Sequence, residues 1–196
     1  KDYELIISKN NFFINKFPKF NTYGTKGNPE KFNFPRPLSK INDCNMSFSG
    51  LKTSVRNKFN EILKKEKKIT KEIKKDICAS FQKSIIDILE VKTKNAMQIF
   101  EKKYKSERKI LSIVGGVAAN HEIRNVFNRL CHKKNFEFYV PPTEICTDNG
   151  VMIAYAGAEK YLSKNDNLDD LNPRARWPLD LLATPLIGYG KKGTKA

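Results

Sequence analysis

The sequence predicts an α/β protein, because short apolar strands alternate with longer amphipathic helices along the chain. Two strand-like segments, residues 110–114 and 136–140, are each followed by a helix-like pattern. They end at Gly-Gly and Pro-Pro pairs, which stop regular structure. Two helix-like segments precede the first strand. This order favours a sheet with helices packed against it.

Apolar spacing and capping residues predict the helices. The first begins near Ser49 or Gly50 and ends near Lys65, with an apolar stripe at Leu51, Val55, Phe59 and Leu63. Thr70 caps a second, longer helix that has Glu72 in its first turn. Its lysine-rich face is predicted to be solvated. Its opposite face is predicted to be buried through Ile73, Ile77, Phe81, Ile85, Ile88, Leu89 and Ile99.

The chain is strongly basic, with 37 Lys and Arg residues against 21 Asp and Glu residues and a formal net charge of +16. A field of this sign attracts polyanions such as nucleic acids. An AT-rich coding sequence would also enrich Lys, Asn and Ile together, so the charge alone leaves both interpretations open. The four cysteines include no C-x-x-C pair. No stretch approaches the roughly 18 apolar residues of a membrane-spanning helix.

The first motif is the segment 110–120, Ile-Leu-Ser-Ile-Val-Gly-Gly-Val-Ala-Ala-Asn, in which a strand we expect to be buried leads through two glycines into a helix. Paired glycines let a flat ligand or a phosphate approach the backbone, because no Cβ stands in the way. Asn120 offers both a donor and an acceptor, which suits a ribose or an adenine edge. A tight strand–helix turn with an asparagine cap explains the same residues.

The second motif is Cys-Thr-Asp-Asn-Gly at residues 146–150, directly before a predicted helix that carries Met152, Ile153, Tyr155 and Ala156. An aspartate on such a turn is either an exposed metal ligand or a helix cap. The spacing alone favours the cap for Asp148. The sequence has no other carboxylate or histidine at ligand spacing, so any further ligands come from elsewhere.

The third motif is Ser-Phe-Ser-Gly-Leu-Lys-Thr at residues 47–53. It lacks the full phosphate-loop pattern, although a helix start with two hydroxyls and a lysine suits an anion. A helix capped by a hydroxyl is the alternative. The two histidines, His121 and His132, are too far apart for a metal pair on one helix. Trp177, in Arg-Ala-Arg-Trp-Pro at residues 174–178, is either an RNA-stacking residue or an anchor packed on the protein.

Taken together and in order, these segments resemble the tRNA N6-adenosine threonylcarbamoyltransferase family of the TsaD/Gcp type. The resemblance rests on residues 47–53, residues 115–120, residues 146–157 and residues 174–178. The segment 27–37, Gly-Asn-Pro-Glu-Lys-Phe-Asn-Phe-Pro-Arg-Pro, is also similar to that family.

The resemblance implies one lobe of an actin-like ATPase (ASKHA, RNase H-like) fold, with a mixed sheet flanked by helices. It implies transfer of a threonylcarbamoyl group from threonylcarbamoyl-adenylate to the N6 amine of the adenosine beside the anticodon, in tRNAs that read codons beginning with A. By position, Asn120, Gly115 and Gly116 match substrate-binding residues, and Asp148 matches a ligand of one divalent metal, iron or zinc. The resemblance assigns no catalytic side chain. Its implied partners are tRNA and the other subunits of the modification complex, in the cytoplasm and away from membranes.

Parts of the family pattern are missing. The resemblance implies an N-terminal lobe with a His-x-x-x-His helix that supplies two metal ligands, and this sequence contains no such pair. In place of the family's Gly-Glu-Ala-Phe-Asp-Lys and Pro-Gly-Gly-Pro segments, the chain has a stretch at residues 9–23 that does not match them. This stretch has either diverged or comes from a deletion or an unreliable gene model. We therefore expect a divergent segment at 1–26, the C-terminal lobe at 27–163, and an extension with a flexible basic tail at 164–196.

Because the chain begins at Lys1 and lacks the pattern of the other lobe, we expect it to be a fragment that is inactive by itself. Two other classes of protein remain as alternatives. One is a non-catalytic nucleotide- or RNA-binding relic of the same fold. The other is a fragment of an actin-like sugar kinase, which lacks support from the Asp-Asn-Gly motif and from the motif at residues 47–53.

Overall fold

The computed structural model describes residues 24–105, 107–163, 189–190 and 193–194. In these ranges the helices and strands are α1 (Leu51–Glu66), α2 (Lys71–Lys103), β1 (Ile110–Ser112), α3 (His121–Lys134), β2 (Glu137–Tyr139), α4 (Gly150–Leu162), β3 (Tyr189–Gly190) and β4 (Gly193–Thr194). Short 3₁₀ turns follow β1 at Gly116–Ala119 and β2 at Thr143–Ile145.

The predicted α/β class is confirmed. β1 and β2 pair in parallel, with Leu111 opposite Phe138, and α3 connects the two strands. β3 and β4 pair in an antiparallel ladder. The larger mixed sheet implied by the resemblance stays a prediction. The chain divides into two compact units, Lys1–Asp148 and Asn149–Ala196. The boundaries predicted after residues 26 and 163 stay predictions.

The core of the first unit forms where α1, α2 and α3 present their apolar faces to one another. Burial of each such side chain is worth about 1.5–3 kcal/mol. Thr70 caps α2, because its side chain accepts a hydrogen bond from the backbone N–H of Ile73, as predicted. The buried apolar residues include Leu51, Val55, Phe59, Ile77, Cys78, Phe81, Ile88, Ile123, Phe127 and Cys131.

Four residues that the spacing placed in the core are exposed. Leu63 is 39% exposed, because steps of four residues drift around a helix of 3.6 residues per turn; Ile62 contacts the core instead. Ile99 is also exposed, since Met97 and Phe100 face the core at that end of α2. The strand predicted to be buried is exposed at Ile110 and Val114, and Leu111 and Ile113 are the members that pack on the core.

The segment before α1 is attached along α2 by polar contacts. The backbone N–H of Asn28 donates to Asp76 at 2.8 Å, and that of Phe32 donates to the Ser80 hydroxyl at 3.1 Å. The Ser80 hydroxyl in turn donates to the Asn28 carbonyl oxygen at 3.2 Å. These contacts seat Phe34, which is 2% exposed, in the core.

A buried lysine fixes the end of this segment just before residues 47–53. Lys92 on α2 is fully buried, and its ammonium group lies 2.6 Å from Asp43 and 2.8 Å from the Ile41 carbonyl oxygen. Asn95 donates to the Asp43 carbonyl oxygen at 2.7 Å. The hydrogen bond from Lys92 lowers the pKa of Asp43. A buried charge needs such a partner, so these contacts hold the segment against α2.

Candidate functional site

The Gly-Gly turn after β1 has an open backbone. Gly115 has φ 81° and ψ 178°, a conformation that only glycine adopts readily. A Cβ placed on Gly115 would have no atom within 4 Å. The chain then enters the 3₁₀ turn, in which the Ala118 N–H donates to the Gly115 carbonyl oxygen at 2.9 Å. The turn therefore presents bare backbone to its surroundings.

Asn120 lies at the junction of this turn and α3. Its side-chain oxygen accepts a hydrogen bond from the Ile123 N–H at 3.0 Å, so the predicted helix cap is confirmed. Its side-chain nitrogen donates to the Gln82 oxygen at 3.0 Å, and the residue is 7% exposed. The amide keeps one further N–H and one further lone pair. Contact between Asn120 and a ligand stays a prediction.

The motif at residues 47–53 forms the start of α1. Gly50 precedes the helix in the left-handed conformation, with φ 77°, and no side chain caps the helix. The alternative of a hydroxyl-capped helix is therefore wrong. The Ser47 hydroxyl instead accepts a hydrogen bond from the Ser49 N–H at 3.2 Å.

An apolar pocket joins this motif to the Gly-Gly turn. Its volume is about 100 Å³, and its wall is formed by the start of α1, one face of α2 and the 3₁₀ turn. Lys52 is the one charged residue in its lining, which is otherwise apolar. The structure thus brings together two motifs that lie more than sixty residues apart in the sequence. The lining residues are Phe48, Leu51, Lys52, Phe81, Ile85, Leu89 and Val117.

Arg124, near the start of α3, connects the turn to the loop that leads to Asp148. Its Nε donates a hydrogen bond to the carbonyl oxygen of Ala118. Its Nη2 donates to the carbonyl oxygen of Pro141 at 2.8 Å and lies 3.2 Å from Cys146 Sγ. Arg124 therefore holds the second motif against the first.

The sequence analysis missed Arg124, because an arginine beside the apolar stripe of an amphipathic helix usually faces solvent. One signal was available. Arg124 lies near the N-terminal end of α3, where the helix dipole disfavours a cation. A cation in that position indicates that its side chain has specific acceptors elsewhere in the fold.

Asp148 is exposed, at the end of the loop held by Arg124. The interpretation of Asp148 as a helix cap is wrong. The cap of α4 is Asn149, whose side-chain oxygen accepts from the Met152 N–H at 3.0 Å. The Asp148 carboxylate makes no hydrogen bond or ion pair within the part of the chain that the structure describes.

Comparison with known protein families identifies the family to which these segments belong. Residues 10–155 match the model of the family described as TsaD, tRNA N6-adenosine threonylcarbamoyltransferase. The chain belongs to the TsaD family. That match covers the Gly-Gly turn, the motif at residues 47–53 and the Asp148 loop.

Individual TsaD-family proteins are similar over most of this chain. A protein named tRNA N6-adenosine threonylcarbamoyltransferase from a Ruegeria species is 44% identical over 179 residues, which are 91% of this chain and 49% of the relative. A protein of the same name from Rhizobium leguminosarum is 45% identical over 174 residues, covering 87% and 46%. One from Brucella anthropi is 40% identical over 180 residues, covering 91% and 49%. The chain spans about half the length of the curated relatives it matches.

The remaining candidate residues of this TsaD-family chain do not assemble a further centre. His121 and His132 are both exposed, at opposite ends of α3. Trp177 lies outside the described residues. Among the residues that the structure does describe, no three His, Cys, Asp or Glu side chains converge as a metal site. No helix in those ranges is long and apolar enough to cross a membrane.

Proposed function

We propose that this chain contributes the nucleotide-binding half of a threonylcarbamoyltransferase that acts on tRNA. Membership of the TsaD family carries the proposal. The site geometry supports it, because an apolar pocket borders a turn with an open backbone. Such a pocket suits the flat face of a nucleotide base, and the bare backbone N–H groups of the turn suit a phosphate or ribose.

In the proposed reaction, the N6 amine of a tRNA adenosine attacks the carbamoyl carbon of threonylcarbamoyl-adenylate. The new C–N bond forms as the bond from that carbon to the phosphate oxygen breaks. AMP leaves, and the amine loses one proton to solvent. The chain's contribution is to hold the adenylate in place, since correct positioning of two reactants accounts for much of the rate of such transfers.

Four residues have three distinct roles in this proposal. Asn120 caps α3 and donates to Gln82, and it contacts the adenylate through the remaining N–H and the remaining oxygen lone pair of its amide. Gly115 and Gly116 give the ligand access to the backbone. Arg124 is a positioning residue, because it connects the turn to the Asp148 loop without facing the pocket.

A metal would be held only in part by this chain. Asp148 is one exposed carboxylate, and a single carboxylate does not make a metal site. We infer that the other ligands of an iron or zinc ion come from the part of the family protein that this chain does not span. When bound, such a metal supplies Lewis-acid polarisation of the adenylate.

The fold of the whole protein, its partners and its site of action are proposed from the resemblance to the family. We place the parallel strand pair and its helices in one lobe of an actin-like ATPase fold, with the reacting groups in a cleft between two lobes. The partners are tRNAs that read codons beginning with A, together with the other subunits of the modification complex. The site of action is the cytoplasm.

Replacement of Asn120 by alanine tests the nucleotide site. The experiment uses a chimera in which this chain replaces the matching segment of the Ruegeria relative. We expect an adenylate analogue to bind the Asn120→Ala chimera several-fold to about tenfold more weakly. Loss of one hydrogen bond to the ligand costs roughly 0.5–1.5 kcal/mol. Calorimetric titration measures the affinity.

Asn120→Ser is the matched control, since serine caps a helix about as well as asparagine and lacks the amide. Both variants lose the contact with Gln82, so they differ mainly in the cap. We expect weaker binding in both and a lower melting temperature mainly in Asn120→Ala. Unchanged affinity in both variants would show that Asn120 is only a cap.

A further inference from the structure

A dense group of lysines lies where α1 connects to α2. The segment 64–75 contains seven lysines in twelve residues. The chain has 37 basic residues in 196, so its average composition would place about two there. We call this group the hairpin lysines; the five that are exposed are Lys64, Lys65, Lys67, Lys68 and Lys71.

Within the described residues, no acidic side chain forms a salt bridge that neutralises the hairpin lysines, whereas Lys58, Lys83 and Lys94 each pair with a nearby acid. Glu66 and Glu72 are the only acids in the segment. The tip therefore carries a concentrated and unpaired positive charge, which is costly to the fold through mutual repulsion.

We propose that the hairpin lysines bind the phosphate backbone of the tRNA, an inference that rests on the proposed function. α1 runs from the apolar pocket, at Leu51, to this tip, at Glu66. Its sixteen residues span about 24 Å at about 1.5 Å per residue. An RNA stem rises roughly 3 Å per base pair, so it covers that distance in fewer than ten base pairs. A stem whose loop reaches the pocket can therefore reach the tip.

The chemistry of the tip favours RNA over a lipid surface. Residues 64–68 read Lys-Lys-Glu-Lys-Lys, and the two isoleucines of the segment, Ile69 and Ile73, pack against the core. Leu63 beside it is 39% exposed, and one such side chain is a weak anchor among acyl chains. Lysine ammonium groups that follow one another along the chain suit the repeated charges of a nucleic acid backbone, which they bind without reading sequence. The expected binding is therefore salt-dependent and tolerant of sequence.

The test compares two triple variants of the full chain for binding to an unmodified tRNA transcript. In the hairpin variant, Lys64, Lys65 and Lys68 become glutamine, which removes the charge and leaves a polar side chain that is one bond shorter. We expect about tenfold weaker binding at moderate salt. We also expect the plot of log affinity against log salt concentration to become less steep by about two. Each phosphate contact contributes roughly 0.7–0.9 to this slope, and the variant loses three lysines.

The matched control removes the same charge from the other end of α2, where Lys102, Lys103 and Lys105 become glutamine. These lysines are also exposed, and two of them also lie in the last turn of a helix. We expect this variant to bind tRNA within about twofold of the unchanged chain. Equal loss in the two variants would overturn the proposal, because net charge alone would then explain binding.

Two further outcomes would also overturn it. One is unchanged tRNA affinity in the hairpin variant, with circular dichroism confirming an intact fold. The other is binding to phosphatidylserine vesicles that matches tRNA binding and disappears in the same variant. If the chimera modifies tRNA but the hairpin variant binds tRNA as tightly as the unchanged chain, the hairpin surface is refuted and the proposed function stands. A chimera that binds tRNA and fails to modify it would refute the function alone.

Discussion

Replacing Gly27 by alanine is expected to lower the free energy of unfolding by about 3 kcal/mol. A Cβ on Gly27 would lie 2.1 Å from the Lys75 carbonyl oxygen and 2.2 Å from its carbon. These atoms belong to the backbone of α2 and cannot rotate away as a side chain can. Overpacking of this kind typically costs 1–3 kcal/mol, and here the neighbouring contact from Asn28 to Asp76 is disturbed as well. Denaturant unfolding measures the change.

Gly24→Ala is the control for this prediction. A Cβ on Gly24 would lie 3.0 Å from the end of the Gln82 side chain, which can shift. We expect the Gly24 variant to lose much less stability than the Gly27 variant. Similar denaturation midpoints for the unchanged chain and for Gly27→Ala would show that the segment before α1 does not lie against α2 as described.

Replacing Asp148 by alanine in the chimera is expected to weaken metal binding by at least tenfold, with little change in stability. Mutating a residue that only hydrogen-bonds to a metal ligand typically lowers metal affinity by about 10–100-fold, and loss of a direct ligand should lower it at least as much. The fold should tolerate the change, because Asp148 is exposed and does not cap α4. Metal content after dialysis and the melting temperature are the two measurements.

Asn149→Ala separates the metal from the cap. Asn149 is the residue whose side chain caps α4, and its loss should cost about 1 kcal/mol without removing a carboxylate. We expect this variant to keep its metal and to melt at a lower temperature. If Asp148→Ala retains its full metal content, Asp148 is not a ligand and the metal lies elsewhere in the family protein.

Local features of the fold could be predicted from the sequence. The caps at Thr70 and Asn120 depend on residues three positions apart, so their signals lie within one helical turn. The order of helices and strands follows from apolar spacing in the same way. The family motifs marked the Gly-Gly turn and the Asp148 loop, although they gave no geometry.

Features that depend on distant partners could not be predicted. The ion pair between Lys92 and Asp43 joins positions 49 residues apart, and a lysine on a basic helix gives no sign that it is buried. Arg124 was missed for the same reason, since its acceptors lie in two other segments. The predicted burial of Leu63 was wrong, because positions four residues apart drift around a helix that has 3.6 residues per turn.

The central claim is that this chain supplies a working half of a tRNA threonylcarbamoyltransferase. The most direct measurement is the formation of threonylcarbamoyl-adenosine in tRNA by the chimera, supplied with threonylcarbamoyl-adenylate and a metal and read by nucleoside mass spectrometry. We expect the chimera to form the modified nucleoside, and we expect the chain alone to form none. A chimera that folds, binds tRNA and binds the adenylate without forming the modified nucleoside would contradict the claim and identify the chain as a non-catalytic relic.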